Sequence, residues 1–268
     1  MNTTDPNLKE RDGVFALFKG ASGTGKTVGA LSYPGVYMAD FDKKMPAIAL
    51  KHFRGKAIEY DQFDDIFQYT DKMAKFLGVC PYETILNDSI TSMVSLILKT
   101  VGAAKGEGME RMLQNMKNSM GKFKQELLSI DYYNAETRIV EHILDIGKTL
   151  YQQPGNPKNV LYTAHILQVD SAPDLKTKVV TTTRSIVTAG RKVAAYIPTQ
   201  FDEVYLFGTS EVGGLDGGPT TIQRMVITEQ YGQDDAKTAI NISRYTDFTN
   251  KNLYDLFKSQ IAGKEMFL

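Results

Sequence analysis

The chain predicts an α/β fold: a central, mostly parallel sheet flanked by helices, with an antiparallel β-hairpin extension at its C-terminal end. Three observations lead there. Residues Gly20, Ala21, Ser22, Gly23, Thr24, Gly25, Lys26 and Thr27 match the phosphate-loop pattern G-x-x-x-x-G-K-[ST] at every fixed position, between an apolar run at 14–18 and a helical start at Val28. Further apolar runs of strand length, 36–40, 84–89 and 159–164, end in acidic or polar residues and are separated by helical periodicity. Late in the chain, 201–207 and 223–228 face each other across glycines 208, 213, 214, 217 and 218, the pattern of a hairpin.

In a strand, loop, helix context the glycines let consecutive backbone N–H groups turn toward one centre, and the helix adds its positive end. Lys26 is placed to reach the β- and γ-phosphates of a nucleotide, and Thr27 to hold Mg²⁺ through its hydroxyl. The helix from 26 to 31 stops near Pro34 and Gly35, and strand 36–40 then ends in Asp40, Phe41 and Asp42. Carboxylates at the carboxyl end of a strand in an open α/β sheet sit where ligands bind, although Asp also ends strands as a turn former. A short strand is expected at 57–60 and a helix at 63–77, where Ile66, Tyr69, Met73, Phe76 and Leu77 recur at helical spacing. Strand 84–89 ends at Asp88, followed by small polar residues and a helix. That is how a second phosphate-loop carboxylate is presented to Mg²⁺, and a helix N-cap is the plainer reading of the same residue.

From 89 to 150 the chain reads as largely helical, interrupted between Gly102 and Gly108. The piece that follows carries Lys105, Arg111, Lys117, Lys122 and Lys124 with Met109, Met112, Met116 and Met120. Methionines at this spacing suit core or partner surface, and the basic excess between 99 and 124 suits either a solvated helix face or a polyanion-contacting loop. An amphipathic helix at 137–151 ends at 152–157. Strand 159–164 delivers His165 to the same sheet edge as Asp42 and Asp88, where it either contacts a phosphate or an attacking water or is a satisfied structural residue. The stretch 168–190, with Lys176, Lys178 and Arg184, reads as a long polar loop of positive charge. Arg191 and Lys192 open a helix or turn to Pro198, an edge strand is expected at 239–242, and 253–261 reads as a short amphipathic helix.

The 268 residues suffice for one large α/β domain or for a core domain with an appendage. The expected division is an N-terminal arm at 1–12 and a single domain at 13–268. Lys and Arg number 31, as do Asp and Glu, so no global positive field attracts nucleic acid and any polyanion surface is local. One cysteine, Cys80, excludes an internal disulfide, and with three histidines it gives no zinc spacing. No run approaches a membrane span and the start lacks an apolar signal core, so the expectation is a soluble intracellular protein with no membrane partner.

The order of these elements resembles the RecA-type ATPase core. More closely, the chain resembles the short phage-encoded RecA-like P-loop ATPases with an AAA-24 type domain, some of which are single-strand-annealing recombination proteins. The matching phrases are Gly-Val-Tyr-Met-Ala-Asp-Phe-Asp at 35–42, Leu-Tyr-Thr-Ala-His at 161–165 and Phe-Asp-Glu-Val-Tyr at 201–205, within a resemblance covering about 14–242. It implies an ATPase stimulated by single-stranded DNA, with ATP and Mg²⁺ as cofactors, working as a homo-oligomeric ring or filament in the host cytoplasm. A single-strand-binding protein is a further partner that it admits. Carried over by residue, Asp42 stands at the general base, a position often held by Glu in such proteins; Asp88 matches the Mg²⁺-side acid and His165 the polar sensor. Segments 100–124 and 166–190 take the places of the two DNA-facing loops, and Arg191 and Lys192, or Lys237, those of a cation given to a neighbouring subunit. Competing readings are a helicase- or packaging-type motor, a small-molecule kinase, against which no compact Arg-rich lid is found, and a nucleotide-binding module with little turnover.

Overall fold

A computed structural model describes residues 13–53, 57–103, 132–170, 182–188, 191–213, 221–229, 236–240 and 242–265. Expected features at 1–12, the methionine and basic segment around Lys105, Arg111 and Lys117, and Lys176 and Lys178 lie outside them.

Strands β1 (Phe15–Gly20), β2 (Val36–Asp40), β3 (Glu59–Asp61), β4 (Thr84–Asp88), β5 (Asn159–Asp170), β6 (Thr182–Ile186), β7 (Glu203–Val212), β8 (Thr221–Ile227) and β9 (Tyr245–Asp247) form one nine-stranded sheet. Its order is β3-β2-β4-β5-β1-β7-β8-β9, with β6 paired to β5. From β3 to β7 all pairings are parallel, and β8 and β9 join antiparallel at one edge. The expected α/β architecture and its C-terminal antiparallel hairpin are therefore present.

Helices are α1 (Lys26–Ala30), α2 (Met45–His52), α3 (Ile66–Gly78), α4 (Ile90–Ala103), α5 (Tyr132–Gln152), α6 (Arg191–Tyr196) and α7 (Leu253–Glu265). Because side chains alternate along a strand, the buried strands feed two cores. Phe15, Leu17, Tyr37, Ile85, Val160 and Tyr162 pack on one face with residues of α3, α4, α5 and α6. On the other, Ala16, Phe18, Met38, Leu86, Leu161 and Phe207 pack with residues of α1, α2 and α7. α1 leaves β1 on one face and α4 leaves β4 on the other, so both begin at the carboxyl edge of the sheet and leave the crevice where open α/β sheets bind ligands.

Four details differ from the sequence expectation. The stretch at 168–190 is in part a hairpin: β5 continues past His165 to Asp170, and β6 returns along it with Arg184 opposite Gln168. Its polar, threonine-rich sequence shows no apolar alternation because the hairpin leaves the sheet core. Among the described residues no strand occupies the expected edge position at 239–242. There the Ala239 N–H donates to Glu203 Oε1 at 2.8 Å and the Ile240 N–H to Thr238 Oγ1 at 3.2 Å, and β9 takes the edge instead. β7 runs through Gly208 to Val212, so that glycine lies in a strand. Helix α2 has no counterpart in the sequence reading; Asp40 holds its start, accepting from the N–H groups of Lys44 and Met45 at 3.1 and 2.9 Å.

Candidate functional site

Two glycines show why the loop has its sequence. A Cβ on Gly20 would lie 2.4 Å from the Phe207 carbonyl oxygen on the neighbouring strand, so only glycine lets the loop leave β1 there. Gly25 has φ 91°, in the left-handed region, and turns the chain directly into α1. That helix has five residues, so the loop's own N–H groups outweigh its dipole as the anion-binding element.

Lys26 is buried, and its Nζ donates to the carbonyls of Gly20 at 2.9 Å and Ala21 at 2.8 Å, curling back over the mouth of the loop. Burial lowers its ammonium to about 8, against the opposing pull of Asp88 and Asp42.

Thr27 and Asp88 meet, as their motif positions require. The Thr27 hydroxyl donates to the carboxylate, 3.1 Å from each oxygen, and Thr163 of β5 donates to Oδ1. Asp88 is nearly inaccessible, and burial pushes its carboxyl up to about 6, with the Thr163 hydroxyl opposing and the Asp42 charge adding. A hydroxyl and one buried carboxylate, facing a loop shaped for phosphates, fit Mg²⁺, which binds through one or two carboxylates plus substrate oxygens. Among the described residues no cluster of three His, Cys, Asp or Glu could hold a metal by itself. The peptide following Asp88 is cis.

Asp42 sits beside this pair at the turn after β2, where the N–H groups of Phe41 and Asp42 both donate to the Asp88 carbonyl, at 2.7 and 3.2 Å. Its Oδ1 accepts from Ser89 Oγ at 2.8 Å and from Ser92 Oγ; its Oδ2 accepts from Lys44 Nζ at 3.0 Å and lies 3.3 Å from His165 Nε2. Burial raises this carboxyl, but the contacts from His165, Ser92, Lys44 and Ser89 together outweigh it and hold it well below the ordinary carboxylate range. A carboxylate offers about four acceptor positions, and here all four face a partner.

His165 marks a boundary. It is the last β5 residue in register with β1, opposite Gly20, and its carbonyl accepts from the Val187 N–H at 2.9 Å where the β5–β6 hairpin begins. Its own N–H donates to Thr91 Oγ1 at 3.0 Å, tying it to the first turn of α4.

The structure thus brings Lys26, Thr27, Asp42, Asp88 and His165 to one edge. Arg184 lies on β6, away from the loop in sequence register. Arg191 and Lys192 open α6, four and five residues after Val187. Lys237 bridges Val204, level with Leu17 and so below the loop. Sequence reasoning assigned no role to Ser92, Lys44 or Thr163, and none to the hydroxyls of Ser89 and Thr91; the small polar residues directly after Asp88 were the available signal. Asp40, read with Asp42 as one acidic cluster, instead caps α2 and takes a bond from Gln62 Nε2 at 2.9 Å.

No curated relative matches the chain. A family model described as an AAA domain matches residues 13–240, which span the loop and both carboxylates. The chain therefore belongs to the AAA_24 family, and carries an AAA-type nucleotide-binding ATPase domain on a P-loop α/β fold.

Proposed function

We propose that the protein binds ATP with Mg²⁺ and hydrolyses it while acting on single-stranded DNA as a homo-oligomer, in recombination, repair or replication. The observation that carries the nucleotide part is the meeting of Thr27 with Asp88 beneath a glycine loop whose lysine is buried. Mg²⁺ supplies charge neutralisation across the phosphates when bound. Thr27 and Asp88 would hold the metal, and Lys26 and the loop N–H groups would hold the phosphates. Asp42, with low proton affinity, orients an attacking water as an acceptor and is a weak base, since a catalytic base works best with a pKa near the operating pH.

The saturated state of Asp42 supports a slow basal turnover. His165 occupies one of its four partner positions and also begins the β5–β6 hairpin. A polyanion drawn to that hairpin, which carries Arg184, would shift His165 and free an acceptor position on Asp42. This is the route by which DNA stimulates hydrolysis in this reading. A setting in a phage-infected cytoplasm rests on the family resemblance alone, as do Lys105, Arg111, Lys117, Lys176 and Lys178 as DNA contacts and Arg191 and Lys192 as cations for a neighbour. No helix among the described residues is long and apolar enough to cross a membrane.

The test is hydrolysis by the full chain with and without a long oligothymidylate, over a salt series. Rate should rise several-fold with DNA, the rise should fade with salt as phosphate contacts are screened, and Lys26→Ala should abolish both rates. Turnover that needs a small phosphate acceptor, or is indifferent to DNA, overturns the DNA reading.

A further inference from the structure

Arg224 lies in β8 opposite Thr209 of β7, and its side chain reaches the phosphate loop of its own chain. Its Cδ stands 3.0 Å from the position of a Cβ on Gly25, and the Phe248 ring approaches the same point at 3.1 and 3.3 Å. The last glycine before Lys26 is therefore flanked by an arginine stem and a buried ring. The backbone of Arg224 is fixed: its N–H donates to Thr249 Oγ1 at 2.8 Å and its carbonyl accepts from the Phe248 N–H at 3.0 Å. Thr249 is in turn held by Asp247 Oδ1, which accepts from its hydroxyl at 2.6 Å and its N–H at 2.9 Å.

The head group is different. Among the described residues no carboxylate or carbonyl accepts a bond from the Arg224 guanidinium. Its charge is felt at the end of α2, where burial and then Arg224 depress the His52 imidazole. A half-buried arginine whose stem packs on an anion-binding loop carries a charge suited to an anion held there.

We propose that Arg224 binds the polyphosphate of the nucleotide in cis, a second cation beside Lys26 supplied by the same chain. The inference rests on the nucleotide reading above and adds a residue to it. It places two cations of one subunit at the phosphates, whatever the assembly contributes to turnover.

The experiment uses the full chain, with MgADP binding measured by calorimetry and hydrolysis measured in parallel. Arg224→Met keeps the stem against Gly25 and Phe248 and removes the charge, and should weaken MgADP binding about 10- to 100-fold, as loss of a charged hydrogen bond does, with the wild-type melting temperature. Mixing Arg224→Met with Lys26→Ala should give no more activity than the sum of the two, because neither chain then carries both cations. Restored activity in the mixture overturns the cis arrangement. Unchanged MgADP affinity in Arg224→Met, with Lys26→Ala still defective, overturns the role of Arg224 and leaves the nucleotide site standing; a wild-type chain that binds no MgADP overturns both. Should Arg224→Met not fold, arginine modification of the wild type by phenylglyoxal decides the matter. MgADP should protect Arg224 while Arg244, paired with Glu229, reacts as before, and equal reactivity of Arg224 with and without MgADP overturns the proposal.

Discussion

Asp88 is where the cost of building the site is concentrated. Burial raises its carboxyl to about 6, which means the folded chain binds a proton there more tightly than the unfolded chain, whose Asp titrates near 4. The stabilisation from that proton is complete below about pH 4 and is lost as pH rises through about 6. A cation at Asp88 acts in the opposite direction, since it needs the carboxylate. Mg²⁺-dependent nucleotide affinity should therefore be flat above pH 7 and fall about tenfold per unit below pH 6, a limb that Asp88→Asn removes along with most of the affinity. Titrations with MgADP and with ADP plus chelator across this range check it; a metal-dependent affinity that holds constant to pH 5 sinks the assignment. At this scale Lys26, Thr27 and Asp88 were legible because a fixed motif and a strand ending prescribe their meeting. Thr163 and Ser92 were not, because each reaches its carboxylate only through the registers of β2, β4 and β5; Lys44 reaches Asp42 from two residues away, but only through the turn that follows β2. Even Asn87, which interrupts an apolar strand, has a purpose visible only in three dimensions: it is buried and accepts from Tyr69 Oη at 2.8 Å, fixing β4 one residue before its acid.

Elements that sit inside the sheet were readable from sequence because burial on both faces leaves a continuous apolar run, as in β2, expected and observed at Val36–Asp40. Elements at its margins were not. β6 places a single side chain in the core, Ile186 at its end, which is too little for an apolar pattern, and it otherwise pairs with the part of β5 beyond the core. α2 begins Met45-Pro46, acceptable at a helix start, yet its N-terminal cap comes from Asp40, upstream across a turn and hidden from any local pattern. That remote cap gives a test separating the two acids of one short motif. Asp40 is fully buried and accepts three hydrogen bonds, so Asp40→Ala leaves donors of α2 and Gln62 unpaired and should cost about 1–3 kcal/mol in urea unfolding. Nucleotide turnover per folded molecule should survive it. Asp42→Asn should show the reverse emphasis, losing turnover at a stability nearer the wild type; equal loss of turnover in both variants would place Asp40 in the chemistry after all.

Across the whole molecule the site draws on distant parts of one sheet. The loop and Thr27 come from β1 and α1, Asp42 from the turn after β2, Asp88 from β4, and Thr163 and His165 from β5; in the proposal above Arg224 adds β8, at the far side of β7. Separating any neighbouring pair of these strands dismantles the site, so the unfolded chain offers the nucleotide nothing comparable and binding becomes folding free energy. At a free MgATP concentration 100 times Kd, the linkage is about 2.7 kcal/mol. For a chain of this size each kcal/mol moves the melting temperature by about 2–4 °C, which gives an expected rise of about 5–10 °C. A chelator should remove the part of the shift carried through Thr27 and Asp88, and Lys26→Ala should show almost none of it. Amide exchange measured alongside should slow in β1, β4 and β5 together, since the ligand joins them, and not in the loop alone. If Lys26→Ala melts with the same nucleotide-dependent rise as the wild type, the triphosphate binds at some other surface and the carboxyl edge of this sheet loses its assigned purpose.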